Sequence, residues 1–490
     1  MTEIVFGVDV GTQGVRVLAV DTAGQVIAAS QTAFDLAAFN RGAQTLPPGW
    51  FEQHPRLWWE ATAGCLREAM VQLPAGTKVA GICVDSTSGT ILAVDADGEP
   101  LHPALMYNDQ RSEAQAAAVQ AAARAHQERF GYVFGSSYGL PKIVWFRQAR
   151  PEIFARARWF LHAADFINGR LTGEYGRSDT SNALKTGYDL INLCWPDFIE
   201  RDLGIPINRL PDVVLPGQAL GRVTARAAHA TGLPAGTPVW AGATDGTAAQ
   251  VASGAARPGE WNSTLGTTLV LKGVSHELRR DPLGRVYSHR HPEGWWMPGG
   301  ASNTGAEWIT KDHPGANLDE INHQAEAVTP TALLRYPLTK KGERFPFLHP
   351  QAQGFVLGEA RSPLERYAAG LEGVALLERL AYATLAEIGF EVGDRVYITG
   401  GGSKSRLWSR IRASVLGKCL AKPAVTETAF GAAVLAASGC WYATLSEATA
   451  RMVRIVETID PEPVWRAVYA ERYAAFVAAL TERGYLEARP

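Results

Sequence analysis

An acid and a hydroxyl stand beside a glycine-rich turn near the start of the chain. Asp9 lies in the apolar run 4–10, and Gly11-Thr12-Gln13-Gly14 leads into the apolar run 15–21. Glycines let backbone N–H groups come close to a phosphate, and the threonine hydroxyl adds a donor. A carboxylate would repel that phosphate unless a divalent cation lay between them, so we interpret Asp9 as a partner of hydrated Mg²⁺. Taken alone, so short a motif is more often a plain hairpin turn.

Two later turns of small residues strengthen the phosphate interpretation. Ser263-Thr264-Leu265-Gly266-Thr267-Thr268 separates two apolar runs, as the first turn does, and two such hairpins could clamp a triphosphate. Gly400-Gly401-Gly402-Ser403 lies between a predicted strand and a predicted helix, where glycines leave room for a flat ring and the helix N-terminus supplies donors. The alternative there is a flexible loop. Neither a Walker motif nor a well-placed G-x-G-x-x-G occurs, which argues against P-loop and dinucleotide-binding folds.

A third acid, Asp245, follows an apolar strand and precedes a helix in the stretch Gly242-Ala243-Thr244-Asp245-Gly246. At such a place a carboxylate can accept a proton from a substrate hydroxyl. An aspartate before a helix also serves well as an N-cap, and by itself the cap is the more frequent explanation.

The elements that must position these residues are short strands and helices in alternation. Apolar alternation and β-branched residues predict strands at 4–10, 15–21 and 79–86, with a strand and an Asp-Gly turn in 89–100. A strand–turn plan returns at 239–254 and 259–274, a loose two-fold repetition of plan rather than of sequence. Helical spacing predicts the helices, at 55–73, 113–129, 141–149, 368–389, 427–439 and 463–483.

Composition narrows the class of protein. A chain of 490 residues suggests two or three domains. A net charge of −2 without a basic stripe argues against a nucleic-acid partner. Five scattered cysteines without a C-x-x-C pair suit a reducing compartment. The N-terminus lacks a signal-type segment and no apolar run is long enough to span a membrane, so a cytoplasmic protein is expected.

Taken in this order and spacing, the pieces resemble the FGGY family of carbohydrate kinases over nearly the whole chain. The stretches 141–145 and 164–173 also resemble signatures of that family. The resemblance implies an α/β fold of two ribonuclease H-like, actin-like ATPase domains with a cleft between them. We expect domain boundaries at 1–254 and 255–490, with a helical tail at 441–490.

The resemblance also implies an ATP-dependent kinase that uses Mg²⁺ and acts on a small sugar. Asp245 stands at the position of the catalytic base, and Asp9 and Asp245 would hold Mg²⁺ through water. The residues expected to bind ATP belong to the three small-residue turns: Asp9, Gly11, Thr12, Gln13, Gly266, Thr267, Gly401, Gly402 and Ser403. The oligomeric state stays open, with a homodimer among the possibilities.

The predicted substrate follows from the first sugar loop. Family members that act on xylulose or glycerol usually carry Met-His or Arg-Glu there, whereas this chain reads Val84-Asp85-Ser86-Thr87-Ser88-Gly89-Thr90. The loop and the stretch Ser181-Asn182-Ala183-Leu184-Lys185 resemble the D-ribulokinase branch, so D-ribulose is the first choice, phosphorylated at its C5 hydroxyl. Short polar side chains suit a hydroxyl-rich ligand, and the sugar-contact candidates are Asp85, Ser88, Asn108 and Asp245.

Several alternatives stay open at this stage. D-xylulose, L-ribulose or a pentitol could be the substrate. Asp85 could merely cap its turn, and Asp165 with Lys185 could form a structural ion pair. An actin-like or chaperone-like nucleotide switch would share the fold, although no peptide-binding domain is visible in the tail. A catalytically dead regulatory protein is disfavoured because both Asp9 and Asp245 are present.

Overall fold

The chain folds into alternating strands and helices, described over residues 2–36 and 46–487 of a computed structural model. The strands are β1 Glu3–Val10, β2 Gly14–Asp21, β3 Val26–Ala33, β4 Glu52–Gln53, β5 Lys78–Ser86, β6 Leu92–Val94, β7 Ala104–Leu105, β8 Trp159–Leu161, β9 Arg177–Asp179, β10 Asp212–Val214, β11 Ala219–Arg222, β12 Pro238–Trp240, β13 Trp261–Leu265, β14 Leu269–Gly273, β15 Val286–Arg290, β16 Trp296–Ala301, β17 Leu334–Tyr336, β18 Phe355–Leu357, β19 Arg395–Thr399, β20 Cys419–Pro423 and β21 Ile455–Ile459.

The helices connect these strands and cover the sheets. They are α1 Pro55–Val71, α2 Glu113–Ala122, α3 Arg124–Phe130, α4 Gly139–Ala149, α5 Pro151–Arg156, α6 Ala163–Thr172, α7 Thr180–Ala183, α8 Phe198–Arg201, α9 Ala225–Thr231, α10 Asp245–Ser253, α11 Glu307–Asp312, α12 Leu318–Ala325, α13 Pro363–Ile388, α14 Arg406–Leu416, α15 Thr428–Cys440, α16 Leu445–Met452 and α17 Pro463–Glu482. Within the described residues, no helix combines the length and the apolar character needed to cross a membrane.

The described chain divides into two compact units. Unit 1 comprises the residues up to Ala252 together with His289–Gly294 and Val425–Val453, and unit 2 comprises Ser253–Ser288, Trp295–Ala424 and the residues from Arg454 onwards. The sequence-based division at residue 254 differs from this grouping, because two later segments pack with the earlier part of the chain.

The core of unit 1 is a six-stranded sheet in the order β11-β12-β5-β1-β2-β3. Strands β1, β5 and β12 are parallel, and the others join their neighbours antiparallel. Helix α15 lies against β1 and β5, which explains why its segment belongs to unit 1. The approach is so close that a Cβ on Gly7 would lie 1.8 Å from the carbonyl oxygen of Ala429, so only glycine fits there.

The core of unit 2 is a seven-stranded sheet in the order β15-β16-β14-β13-β19-β20-β21. Its five strands β16-β14-β13-β19-β20 repeat the order and directions of β3-β2-β1-β5-β12 in unit 1. The 26-residue helix α13 is capped by the side chain of Ser362 and packs its apolar face on this sheet. Inside the packing, Arg412 forms a bidentate pair with Glu378, at 2.7 and 2.9 Å.

Most predicted elements agree with the structure, and three differ. The helix predicted at 113–129 is two helices, because Ala123 interrupts the helical backbone between α2 and α3. Helix α13 begins five residues before the predicted residue 368, since Ser362 and Pro363 supply its cap and first turn. The predicted helical tail at 441–490 was wrong in part: strand β21 lies within it and pairs antiparallel with β20.

Candidate active site

Three of the predicted acids meet at one edge of the sheet in unit 1. Asp9 and Asp85 are direct partners on the parallel strands β1 and β5. Thr244 bridges Ser86 in the same parallel sense, and Asp245 follows it as the first residue of α10. The carboxyl ends of parallel strands lie at one edge of a sheet, where α/β proteins bind ligands. The sheet register therefore brings together residues that are far apart in sequence.

The environment of Asp85 is unusual for a carboxylate. Its side chain is fully buried, and neither carboxylate oxygen accepts a hydrogen bond from an N–H or O–H of the described residues. Burial, followed by the nearby carboxylates of Asp9, Asp245 and Asp179, raises the pKa of Asp85 well above its ordinary value. The alternative that Asp85 caps its own turn was wrong, since its oxygens accept nothing from that turn.

Asp9 has one satisfied and one unsatisfied oxygen. The hydroxyl of Thr428 donates to Oδ2, whereas Oδ1 is buried without a hydrogen-bond partner in the described chain. Orphaned carboxylate oxygens suit a hydrated Mg²⁺ or a sugar hydroxyl, because both present hydrogen-bond donors. No three His, Cys, Asp or Glu side chains of the described residues form a group that could hold a metal ion directly. The residues present therefore fit an ion held through water rather than a direct cage.

The turn after Asp9 has its backbone carbonyls tied back into unit 1. Gly11 N–H donates to Gly14 at 2.9 Å, Gln53 Nε2 donates to the carbonyl of Thr12 at 2.8 Å, and Phe34 N–H donates to that of Gln13 at 2.8 Å. Side chains of Thr12 and Gln13 stay at least partly exposed. Gln53 carried no sequence signal, since it comes from a separate two-stranded sheet.

The predicted sugar loop packs against a neighbouring loop. Ser88 is partly exposed. The next residue, Gly89, has a left-handed φ of +79°, and a Cβ there would lie 2.2 Å from the carbonyl oxygen of Ser137. Asn108 has a buried Oδ1 without a hydrogen-bond partner in the described chain. Next to it, the fully buried Asp109 binds Arg111 and fixes the turn. Ser88 and Asn108 thus lie on loops that the fold holds in place.

Asp245 is held by contacts that the sequence did not reveal. Its Oδ1 accepts the N–H of Gly246 at 2.6 Å, and it is the first helical residue rather than the N-cap. The preceding Thr244 N–H donates to Ser181 Oγ at 3.1 Å, and the same hydroxyl contacts Thr247 at 3.1 Å. Ser181 therefore anchors the start of α10 and with it the Asp245 side chain.

Lys185 lies close to the carboxylate of Asp245. Burial lowers the pKa of Lys185, and the carboxylate of Asp245 opposes that shift. Its ammonium lies 5.5 Å from the ring of Tyr138 and makes no hydrogen bond or ion pair with any described residue. The proposed ion pair with Asp165 was wrong, because Asp165 instead accepts from His162 N–H at 2.9 Å and Nδ1 at 2.7 Å.

Unit 2 contains a cavity of about 410 Å³ beside two of its predicted turns. Gly266, Thr267, Gly401 and Gly402, four of the residues expected to bind ATP, line it. A Cβ on Gly266 or Gly401 would meet no other atom within 4 Å, so these glycines leave space for a ligand rather than for packing. Ser403, which was also expected to bind ATP, does not line the cavity. Its hydroxyl donates to the Gly400 carbonyl at 2.7 Å.

Apart from Leu265, which belongs to the second small-residue turn, the remaining walls of this cavity come from residues that were not predicted to bind a ligand. They are mostly apolar or aromatic and include Ile309, Leu318, Tyr367 and Trp408. Tyr367 Oη donates to Asn322 Oδ1 at 3.0 Å, which orients a polar amide at the wall. A cavity that combines apolar and aromatic walls with polar and charged groups, here including Asp319 and Lys404, is a common form of small-molecule site.

Sequence comparison identifies the family. The N-terminal domain of the FGGY family of carbohydrate kinases matches residues 4–252, and the C-terminal domain of that family matches residues 261–440. The chain belongs to this family, as its sequence motifs had suggested.

Individual relatives cover almost the whole chain. A xylulose kinase of Staphylococcus epidermidis is 26% identical, over 99% of this chain and 98% of its own length. A gluconokinase of Bacillus subtilis is 25% identical, over 89% and 87%. The crystal structure of a xylulose kinase from Brucella ovis superposes with a TM-score of 0.87 at 27% identity, covering 98% of this chain and 99% of that one. The predicted fold class, two α/β units of the ribonuclease H-like, actin-like type, is confirmed.

Proposed function

We propose that this sugar kinase transfers the γ-phosphate of ATP to the terminal C5 hydroxyl of a ketopentose, with D-ribulose as the preferred substrate. One observation carries the proposal. We call the sheet edge of unit 1 that carries Asp9, Asp85 and Asp245 the acid edge. It holds buried carboxylate oxygens of Asp9 and Asp85 that no described N–H or O–H donor satisfies. Such acceptors call for a ligand rich in O–H donors, and an open-chain pentose supplies them.

In this proposal Asp245 is the general base. It would accept the proton of the attacking hydroxyl as the oxygen bonds to the γ-phosphorus and the bond to the leaving ADP oxygen breaks. Ser181 and the first turn of α10 keep the carboxylate in place, so little reorganisation is needed. Asp9, with Asp245, would hold hydrated Mg²⁺, which neutralises phosphate charge when bound.

The other residues of both units would bind and orient the substrates. The backbone and hydroxyl of the turn at Thr12 would donate to phosphate oxygens. Gly266, Thr267, Gly401 and Gly402 would border the nucleotide in the unit 2 cavity. The predicted role of Ser403 is then limited to stabilising the turn at Gly400, since its hydroxyl is already engaged.

Near the acid edge, the Lys185 ammonium is a hydrogen-bond donor, whereas the ionised carboxylate of Asp245 is an acceptor. An ionised carboxylate only accepts hydrogen bonds, so Asp245 suits a substrate hydroxyl, whereas an ammonium only donates. We expect Lys185 to bind an oxygen that can only accept, such as the ketone of an open-chain ketopentose. Ser88 and Asn108 would complete the contacts with the sugar.

A second candidate substrate is D-xylulose. The relatives named xylulose kinase favour it. The loop 84–90 favours D-ribulose, because it lacks the Met-His or Arg-Glu element that family members acting on xylulose or glycerol usually carry.

The test is ADP release by the purified chain with Mg·ATP and a panel of D-ribulose, D-xylulose, L-ribulose, ribitol, gluconate and no sugar. We expect the highest kcat/KM with D-ribulose. A higher value with another sugar would keep the kinase assignment and reject the use of the sugar loop. ADP release that does not depend on sugar would reject the sugar-kinase proposal in favour of a nucleotide switch.

A further inference from the structure

A second cavity of about 300 Å³ lies in unit 2, separate from the predicted nucleotide cavity. The two cavities share helix α11 as a wall: Ile309 and Thr310 line the nucleotide cavity, whereas Trp308, Lys311 and Asp312 line the second one. The start of α13 is shared in the same way, with Tyr367 on one side and Arg366 on the other. A ligand in either cavity would therefore contact the same two helices.

The second cavity has an excess of positive charge. Its charged lining residues are Lys311, Arg335, Arg366 and a single carboxylate, Asp312. Asp312 is already paired with Arg335, which is 6% exposed. Lys311 and Arg366 line the cavity from its exposed side and form no ion pair within the part of the chain that the structure describes. The cavity is left with two unpaired cations.

The wall of this cavity also contains an uncharged hydrogen-bond donor. The indole ring of Trp308 is 1% exposed, and its N–H finds no acceptor among the described residues. The guanidinium of Arg335 lies 4.6 Å from the centroid of the same ring, so the ring and the cation form one wall. A buried donor without an acceptor is uncommon in folded proteins and is consistent with a bound ligand that supplies one.

We propose that this cavity binds a small phosphate monoester. Arginine forks bind phosphate oxygens in pairs, and a lysine adds a point charge. A volume of about 300 Å³ is at the lower end for small-molecule sites, which suits a pentose phosphate better than a nucleotide. Pro337 and Phe355 supply apolar walls for the carbon chain.

Binding at this site regulates nucleotide affinity through α11 and α13. By thermodynamic linkage, a phosphate ester that changes the affinity for ADP must itself bind differently when ADP is present. If the proposed function holds, the product of the reaction has this same chemistry, so the cavity would sense product. That last step rests on the proposed function, whereas anion binding does not.

The first experiment is calorimetric titration of ribose 5-phosphate and of inorganic phosphate into the full chain without nucleotide. The variant Lys311→Ala/Arg366→Ala removes the two unpaired cations. The matched variant Lys340→Ala/Arg361→Ala removes two cations that are 71% and 78% exposed and already paired with Glu307 and Glu365. We expect at least a tenfold weaker affinity for ribose 5-phosphate in the first variant and no change in the second. Thermal unfolding of both variants checks their folding.

Equal weakening in both double variants, or no binding by the wild-type chain, would overturn the proposal. Tighter binding of inorganic phosphate than of the ester would also overturn it, in favour of a bare anion site. A second titration measures ADP affinity with and without ribose 5-phosphate, and we expect a shift in the wild type that the Lys311→Ala/Arg366→Ala variant lacks. A chain that binds the ester but neither ADP nor sugar would reject the proposed function and leave the anion site intact.

Discussion

The two sheets place different chemistry at equivalent positions. On strands β1 and β5 of unit 1, the registered pair is Asp9 with Asp85. On the corresponding strands β13 and β19 of unit 2, it is Thr264 with Thr399. The two threonine hydroxyls bind each other at 2.8 Å, and Asn262 contacts both. The acidic pair instead leaves buried oxygens without donors.

This difference separates two kinds of site on one architecture. A hydrogen-bonded hydroxyl pair satisfies its own donors and acceptors and needs no ligand. Buried carboxylates without donors are unfavourable until a ligand supplies them. The fold therefore provides the position, and the residue type decides whether that position stabilises the chain or can bind a substrate.

The largest expected effect is on the acid edge. Asp245→Asn should lower kcat for sugar-dependent ADP release by about 10²–10⁴-fold, because an amide cannot accept the substrate proton. Steady-state assays with saturating sugar measure it, and thermal unfolding confirms that the variant is folded. Turnover near that of the wild type would exclude Asp245 as the base.

The next effect concerns the cation opposite that base. Lys185→Met should lower kcat/KM for the ketopentose by about 10–100-fold, the loss expected for one charge-assisted hydrogen bond. The loss should be smaller for the pentitol, which has no ketone. Lys78→Met is the control, since Lys78 is 73% exposed and paired with Glu3. Equal losses with ketose and pentitol would contradict a contact with the ketone.

On the unit 2 side, the expected effect is on ATP alone. Gly401→Ala adds a methyl group that meets no protein atom within 4 Å, so folding should be unaffected. If the nucleotide lies against this backbone, KM for ATP should rise about tenfold while KM for the sugar stays constant. Gly64→Ala, equally free of neighbours, is the matched control. An unchanged KM for ATP in Gly401→Ala would place the nucleotide elsewhere.

The smallest expected effect is on the free energy of unfolding in metal-free buffer. It compares the Asp9–Asp85 pair of unit 1 with the Thr264–Thr399 pair of unit 2. Asp85→Asn should raise the free energy of unfolding by about 1–3 kcal/mol, because it removes a buried carboxylate that lacks donors. Thr399→Val should lower it by about 1 kcal/mol, since it breaks a satisfied hydrogen bond. Urea unfolding measures both variants. The same sign in both would remove the contrast between the edges.

The gain for Asp85→Asn should also depend on pH. The folded chain holds the Asp85 proton above the ordinary pKa of 3.8, where the unfolded chain has released it. The unfolded state then binds fewer protons, so the stability of the wild type falls as pH rises above that value. The asparagine variant lacks this loss, and its advantage should be larger at about pH 8 than at about pH 5.

Residues at the ends of predicted strands were the ones that the sequence could identify. Asp9, Asp85, Asp245 and Gly401 each follow or end an apolar run, so their position follows from local pattern. Lys185, Gln53 and Thr428 lie in segments whose place depends on tertiary packing, and only the fold brings them to the acid edge. The same reason explains why α15 was not assigned to unit 1: its contact with β1 depends on Gly7, which has no local signature.

In our proposal the acid edge of unit 1 carries the chemistry, whereas the cavity of unit 2 binds the nucleotide. The most direct test of this division is an ADP titration of two variants, Asp245→Asn and Gly401→Ala, beside the wild type. In metal-free buffer we expect wild-type ADP affinity in Asp245→Asn, which has lost turnover, and about tenfold weaker affinity in Gly401→Ala. Weakened ADP binding in Asp245→Asn with unchanged binding in Gly401→Ala would contradict it, since nucleotide recognition would then belong to the acid edge.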